Sequence, residues 1–261
     1  MAGRYSRREL VLGVGGLAGF GGAAHARPVP LKILTLATRK AEVSPKTFAD
    51  LWRDAYAALA RQAPGLRGLV VSEPLPRPDG ARPPFDGVAS IWFDTRAAAD
   101  AAMDGPAGRT LRASLRSLID PANSASLYTH EHVFVPPART EGTIKRTSLV
   151  VRDASVTHAQ FMRHWLTVHG PWARGIPGVK GFVLTELYAR PPRGAPTALA
   201  HIDGISESWW EGGPADQGGM VSSPEHSRWS ADGNSFIDRA GSAPLITREH
   251  ILAPPPGAAL T

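Results

Sequence analysis

The chain aligns with itself. Slid so that Lys32 falls on Lys145, the residues Leu36, Arg39, Ala41, Val43, Phe48, Trp52, Arg61, Pro64, Gly65, Gly68, Val70 and Glu73 meet the same types at Leu149, Arg152, Ala154, Val156, Phe161, Trp165, Arg174, Pro177, Gly178, Gly181, Val183 and Glu186. Further along, Asp86-Gly87 answers Asp203-Gly204, and Thr129-His130-Glu131-His132 answers Thr247-Arg248-Glu249-His250. A repeat of this extent means two copies of one supersecondary unit, each having to bury its own apolar face.

Each copy predicts the same order of elements. Residues 31–38 and 144–151 read as strands from their β-branched and apolar content. Ser44-Pro45 supplies an N-cap followed by proline at the first helical position, and Thr157 caps the matching helix. Both helices stop before Pro64-Gly65 and Pro177-Gly178. Strands follow at 66–73 and 85–93, and at 179–188 and 199–210. A helix comes next, continuous at 95–118 and broken by glycine and proline at 212–238, before closing strands at 126–135 and 245–252. The expectation is an α+β chain of two tandem ferredoxin-like βαββαβ repeats at 27–136 and 144–253. A linker lies at 137–143 and a tail at 254–261. Two four-stranded sheets, each with helices on one face, must cover their other faces. They do so either by packing sheet on sheet or by closing round a shared interior as a pseudo-dimeric barrel.

The first 26 residues read differently. Ser6-Arg7-Arg8-Glu9-Leu10-Val11-Leu12 leads into a Gly-diluted apolar stretch ending in Ala24-His25-Ala26, the pattern of a twin-arginine export signal cleaved after Ala26. A retained membrane anchor is the alternative, but the stretch falls short of the ~20 apolar residues a span needs. A periplasmic protein with no stable anchor after cleavage is expected. Loss of Arg4, Arg7, Arg8 and Glu9 takes the formal charge of +6 down to +4. No basic stripe interleaved with aromatics appears, so nucleic acid is not an expected partner. The chain has no cysteine, which excludes disulfides, thiolate metal sites and cysteine nucleophiles.

With the strand KRTSLVVR (145–152), the helix FMRHWLTVHGP (161–171), the turn IPGVKGF (176–182) and Asp203-Gly204-Ile205, the second half resembles an EthD domain. The first half is similar but degraded, keeping Phe48, Trp52, Pro64-Gly65, Gly68 and Asp86-Gly87. The resemblance implies a dimeric α+β barrel fold and a small apolar or aromatic ligand in a barrel or helix–sheet cavity. Members of that family are associated with oxidoreductase pathways or with decarboxylation and dehydration of polyketides, and the wider superfamily holds cofactor-free cyclases, isomerases and monooxygenases and some haem enzymes. It does not name a reaction.

His169 is the histidine that recurs in that family, and Tyr56 stands in its place in the first half. A helical wheel puts Phe161, Trp165, Val168 and Trp172 on the buried stripe, with His169 on its flank. There it would either act as a general acid or base in a cavity or serve as a packing histidine favoured by the helix C-terminal dipole. Asp203 is a candidate to orient His169, with turn chemistry as its alternative. Tyr56, Trp165 and Trp209 are the candidate ligand contacts, with core packing as the competing role. Trp210, Trp229 and His226 belong to the same divergent region. Arg39 with Glu73, and Arg152 with Glu186, close neighbouring strands and read as structural ion pairs. His130 and His132 form an H-x-H pair on one strand face with no third metal ligand evident.

The expected activity is cofactor-free acid/base catalysis of the lyase, isomerase or decarboxylase type, using His169. The alternatives are a non-catalytic binding or oligomer-forming barrel and an oxidoreductase, haem-linked or metal-dependent. The chain would work as a monomeric pseudo-dimer or as a homo-oligomer.

Overall fold

The computed structural model describes residues 30–77, 79–140, 142–188, 199–211 and 223–257. The expected export signal and the stretch 212–222 lie outside these residues.

The first half runs β1 (Leu31–Ala37), α1 (Pro45–Gln62), β2 (Leu66–Pro74), β3 (Gly87–Phe93), α2 (Arg96–Asp104), α3 (Pro106–Leu115) and β4 (Ala125–Val135). The second runs β5 (Thr143–Arg152), α4 (His158–His164), β6 (Val179–Leu187), β7 (Gly204–Glu211), α5 (Pro224–Asn234) and β8 (Ile237–Ala253). The helix expected at 95–118 is two helices, because Gly105 leaves the α region and Pro106 restarts it at N1. The last strand begins at Ile237, earlier than its sequence pattern suggested.

The strands close into one antiparallel barrel in the order β1-β3-β2-β8-β5-β7-β6-β4. Each half contributes a ferredoxin-like sheet, and the seams are β2 with β8 and β4 with β6. Closure removes every sheet edge. Both faces of β1 are buried, so its residues are mostly apolar and its two polar side chains, Lys32 and Thr35, are buried as well. Leu31, Ile33 and Ala37 face outward under the first-half helices, whereas Leu34 and Leu36 point into the barrel with Val88, Leu127, Leu149 and Ile205.

The repeat marks what the fold requires. Ser44 and Thr157 cap α1 and α4, Thr157 through a full capping box with Gln160. Gly65 and Gly178 both take positive φ, 71° and 81°, at the turn from the first helix into the next strand. Gly87 and Gly204 leave room for tryptophan. A Cβ at Gly87 would lie 3.1 Å from Trp52, and one at Gly204 would run into the Trp165 ring. Asp86 accepts from the Arg39 backbone N–H and pairs with its guanidinium, and Asp203 does the same for Arg152, both N–H contacts being 2.9 Å. The arginines therefore do not pair with Glu73 and Glu186 as their positions suggested. Glu73 meets Arg53 and His250, and Glu186 meets His132. The intervening strand order sets this, since Asp-Gly opens the strand hydrogen-bonded to the end of β1 or β5.

One end of the barrel interior is charged. Lys32 is fully buried and reaches Glu131 at 2.8 Å, Thr185 at 3.2 Å and Glu207. Lys145 bonds Glu207 from the other side and lies 3.3 Å from Glu249. Trp92 donates to Glu131 at 2.7 Å, and Trp209 donates to Glu249 at 2.8 Å. Each half thus supplies one Lys–Glu–Trp set, and Glu207 ties the two lysines together where the first half has Ser90. Burial opposes ionisation of Glu207, but Lys145 and Lys32 outweigh it and hold the carboxyl below its usual range. For Lys32, burial is likewise outweighed by Glu131 and Glu207, which raise its pKa.

Candidate functional site

A cavity of about 350 Å³ lies outside the barrel, between the β5–β7 face of the second half and the helices above it. Its floor carries Arg146, Ser148, Val150, Ser206, Ser208 and Trp210, and its roof carries Trp165, His169, His226 and Trp229. Paired registers show what occupies the same floor in the first half. Arg146 opposite Ser208 and Ser148 opposite Ser206 correspond to Ile33 opposite Ile91 and Thr35 opposite Ala89. In the first half Ile33, Ala89 and Ile91 pack against Tyr56, Ala99, Leu111 and Leu115 as solid core. The second half keeps the backbone and replaces the filling with polar groups.

Helix geometry turns His169 into this cavity. The segment Trp165–His169 is a π turn, which inserts one extra residue into the helical period. Phe161, Trp165 and His169 are buried, as Phe48, Trp52 and Tyr56 are in α1. After the π turn the buried stripe shifts by one, so that Ala173 is buried and Trp172, the counterpart of buried Leu59, is not. Trp172 is 47% exposed and His169 only 2%, so the histidine sits on the buried stripe and not on its flank. Its ring stacks on Trp229 at 4.5 Å between centroids and meets Phe236 edge-on at 5.2 Å.

Asp232 on α5 holds His169. Its Oδ2 lies 2.8 Å from His169 Nδ1, and its Oδ1 lies 2.8 Å from His164 Nε2. Asp203 does not take this role. It lies at the far end of β5, 2.8 Å from His158 Nδ1 and bonded to Arg152. Burial pushes the His169 pKa down to about 4, against the opposing pull of Asp232. The imidazole is accordingly neutral near pH 7, with Nδ1–H donated to the carboxylate. Nε2 has no hydrogen-bond partner among the described residues. Such a pairing fixes one tautomer and leaves the other nitrogen as a proton acceptor.

The remaining candidates divide. Trp165 does line the cavity. Trp209 does not: it points into the barrel toward Glu249 and Lys145, and Trp210, one residue on, occupies the cavity face. The period of two along a strand makes that single residue decisive. Tyr56 is buried in the first-half core against Trp52 and Leu59, and burial raises its pKa, so it contacts no second-half ligand. His130 stacks near Tyr188 and His132 bonds Glu186 at 3.0 Å. Among the described residues no group of three His, Cys, Asp or Glu side chains could hold a metal ion.

Asp232, Arg146 and Arg239 were missed in the sequence. Asp232 and Arg239 fall in the region that does not repeat. Arg146 carried a signal in the alignment itself, a charged residue standing where the first copy has Ile33.

The EthD domain model matches residues 40–122 and 153–240. No curated protein matches the chain in sequence. Among solved structures, an anthrone oxidase-like protein superposes with a TM-score of 0.60 at 12% identity, over 89% of this chain and 97% of its own. A "putative monooxygenase" from Fusobacterium nucleatum gives 0.59 at 10% identity, covering 85% and 94%. Another of that description from Lactobacillus acidophilus gives 0.55 at 9% identity, with the same coverages. At these identities the structures establish the barrel architecture. The match to the family model spans well over half of the residues and falls once in each half, so the chain belongs to the EthD domain family.

Proposed function

We propose that the second half houses a general-base site in which His169 Nε2 removes a proton from a small molecule bound in the cavity. The observation that carries this reading is the His169–Asp232 pair at 2.8 Å, set in a cavity whose first-half equivalent is filled core. Asp232 keeps the proton on Nδ1 in the resting state and stabilises the imidazolium formed when Nε2 takes a second one. Trp165, Trp210 and Trp229 supply flat apolar walls that suit an aromatic or polycyclic substrate. The first half serves as scaffold. We place this activity in the periplasm, on the strength of the twin-arginine pattern in the first 26 residues.

A second reading is oxidoreductase chemistry, favoured by the names carried by the structures of similar fold. It begins with the same step, since a C–H acid deprotonated by His169 becomes electron-rich enough to react with dioxygen.

Deuterium exchange into the acidic carbon of an anthrone or a cyclic 1,3-diketone tests the base. His169→Ala is expected to slow enzyme-dependent exchange by on the order of a hundredfold. His169→Gln guards against loss of fold. Exchange as fast in folded His169→Ala and His169→Gln as in the wild type would overturn the role of His169.

A further inference from the structure

We infer that the second-half cavity binds a planar aromatic carboxylate, with the anionic group held between Arg146 and Arg239. The inference rests on the reading of this cavity as the ligand site, but not on His169 acting as its base.

Two guanidinium groups line one cavity, and neither meets a carboxylate among the described residues. Arg146 rises from the floor, and its one side-chain hydrogen bond there is to Ser148 at 3.3 Å. Arg239 enters from the start of β8 and bonds Asn234 at 2.9 Å and the Ser230 carbonyl at 3.4 Å, both neutral. Most other arginines in the described residues that touch a side chain do so through Asp or Glu, as Arg39, Arg53, Arg77, Arg96, Arg139 and Arg152 illustrate.

The two charges lie close enough to act on each other and on His226, and Arg239 also reaches His169. A Cβ built at Gly233 would run into Arg239 Nη2 and lie 3.3 Å from His169 Cε1, so both the guanidinium and the imidazole pack close against the Gly233 backbone. Burial and the positive charge of Arg239 lower the Arg146 pKa, and His226 is lowered by burial and by both arginines. A cavity whose two guanidinium groups meet no carboxylate among the described residues is completed by an anion from outside. The planar fork of a guanidinium matches a carboxylate bidentately. The tryptophan walls call for an aromatic ring behind it, and about 350 Å³ accommodates one or two fused rings. The same pair of arginines would stabilise negative charge that develops when a proton leaves a carbon beside His169.

Calorimetric titration of the purified protein with 2-naphthoate and its neutral isostere 2-naphthamide tests this. Naphthoate is expected to bind at least tenfold more tightly than the amide at pH 7, and Arg146→Met is expected to abolish that preference. Arg239→Gln, at a more exposed position, is expected to weaken it and provides a second reading if Arg146→Met melts early. Equal binding of acid and amide, no binding of naphthoate at millimolar concentration, or an unchanged preference in folded Arg146→Met would each overturn the inference. His169→Ala is expected to keep the preference. If it does while exchange chemistry proves independent of His169, the base role falls alone. If exchange depends on His169 but naphthoate is not preferred, only the carboxylate assignment falls.

Discussion

His169 Nδ1 and Asp232 Oδ2 stand 2.8 Å apart although 63 residues separate them in sequence. Asp232→Asn keeps the shape but offers an amide where the carboxylate accepted, so Nδ1 no longer has a fixed reason to hold the proton. Activity is expected to fall by a hundredfold or more. Nitrogen-detected NMR of labelled histidine should show His169 losing its single tautomer. Asp203→Asn, acting on His158 and Arg152, should leave that tautomer intact.

The depressed pKa of His169 also makes stability depend on pH. Its folded value of about 4 lies below the unfolded 6.5. The unfolded chain therefore binds the extra proton first, and stability is lost as pH falls from 6.5 towards 4. The full shift corresponds to roughly 3 kcal/mol. Urea unfolding of wild type and His169→Gln at pH 7 and pH 4.5 should show the wild type losing more on acidification. Parallel losses would mean that His169 is not protected from protonation.

Gly204 and Gly87 occupy equivalent positions under Trp165 and Trp52, but with different clearances. Gly204→Ala drives a methyl into the indole ring and should cost about 1–3 kcal/mol. Gly87→Ala, with its nearest contact at 3.0 Å, should cost less. Thermal melts of the two variants rank them directly.

Glu207 is buried between two lysines. Glu207→Gln leaves their charges in excess inside the barrel and should destabilise the protein by about 3–5 kcal/mol. Glu207→Gln combined with Lys145→Met removes one of those charges too and should recover part of the loss, as a double-mutant cycle in urea would measure.

The repeat made the architecture legible, because caps, positive-φ glycines and Asp-Gly steps recur wherever both halves need the same backbone. The same comparison exposed Tyr56 against His169 as a difference worth chemistry. What it could not reveal is the partner of His169, since Asp232 lies where the copies diverge and no spacing rule links α4 to α5. The π turn was equally hidden. It is a local change of helical period, and an ideal wheel therefore buried Trp172 where the structure buries Ala173. Trp209 misled for a simpler reason, as two adjacent tryptophans on a strand must face opposite ways.

The seams β2 with β8 and β4 with β6 lie within a single polypeptide. Where two separate chains form such a barrel, dilution pulls it apart and both halves must carry identical residues. Here the barrel's closure is first-order: its unfolding midpoint should not move with protein concentration through loss of these seams. Joining the halves also lets a substitution touch one side alone, which is how one helix–sheet layer stayed solid while its twin opened around His169.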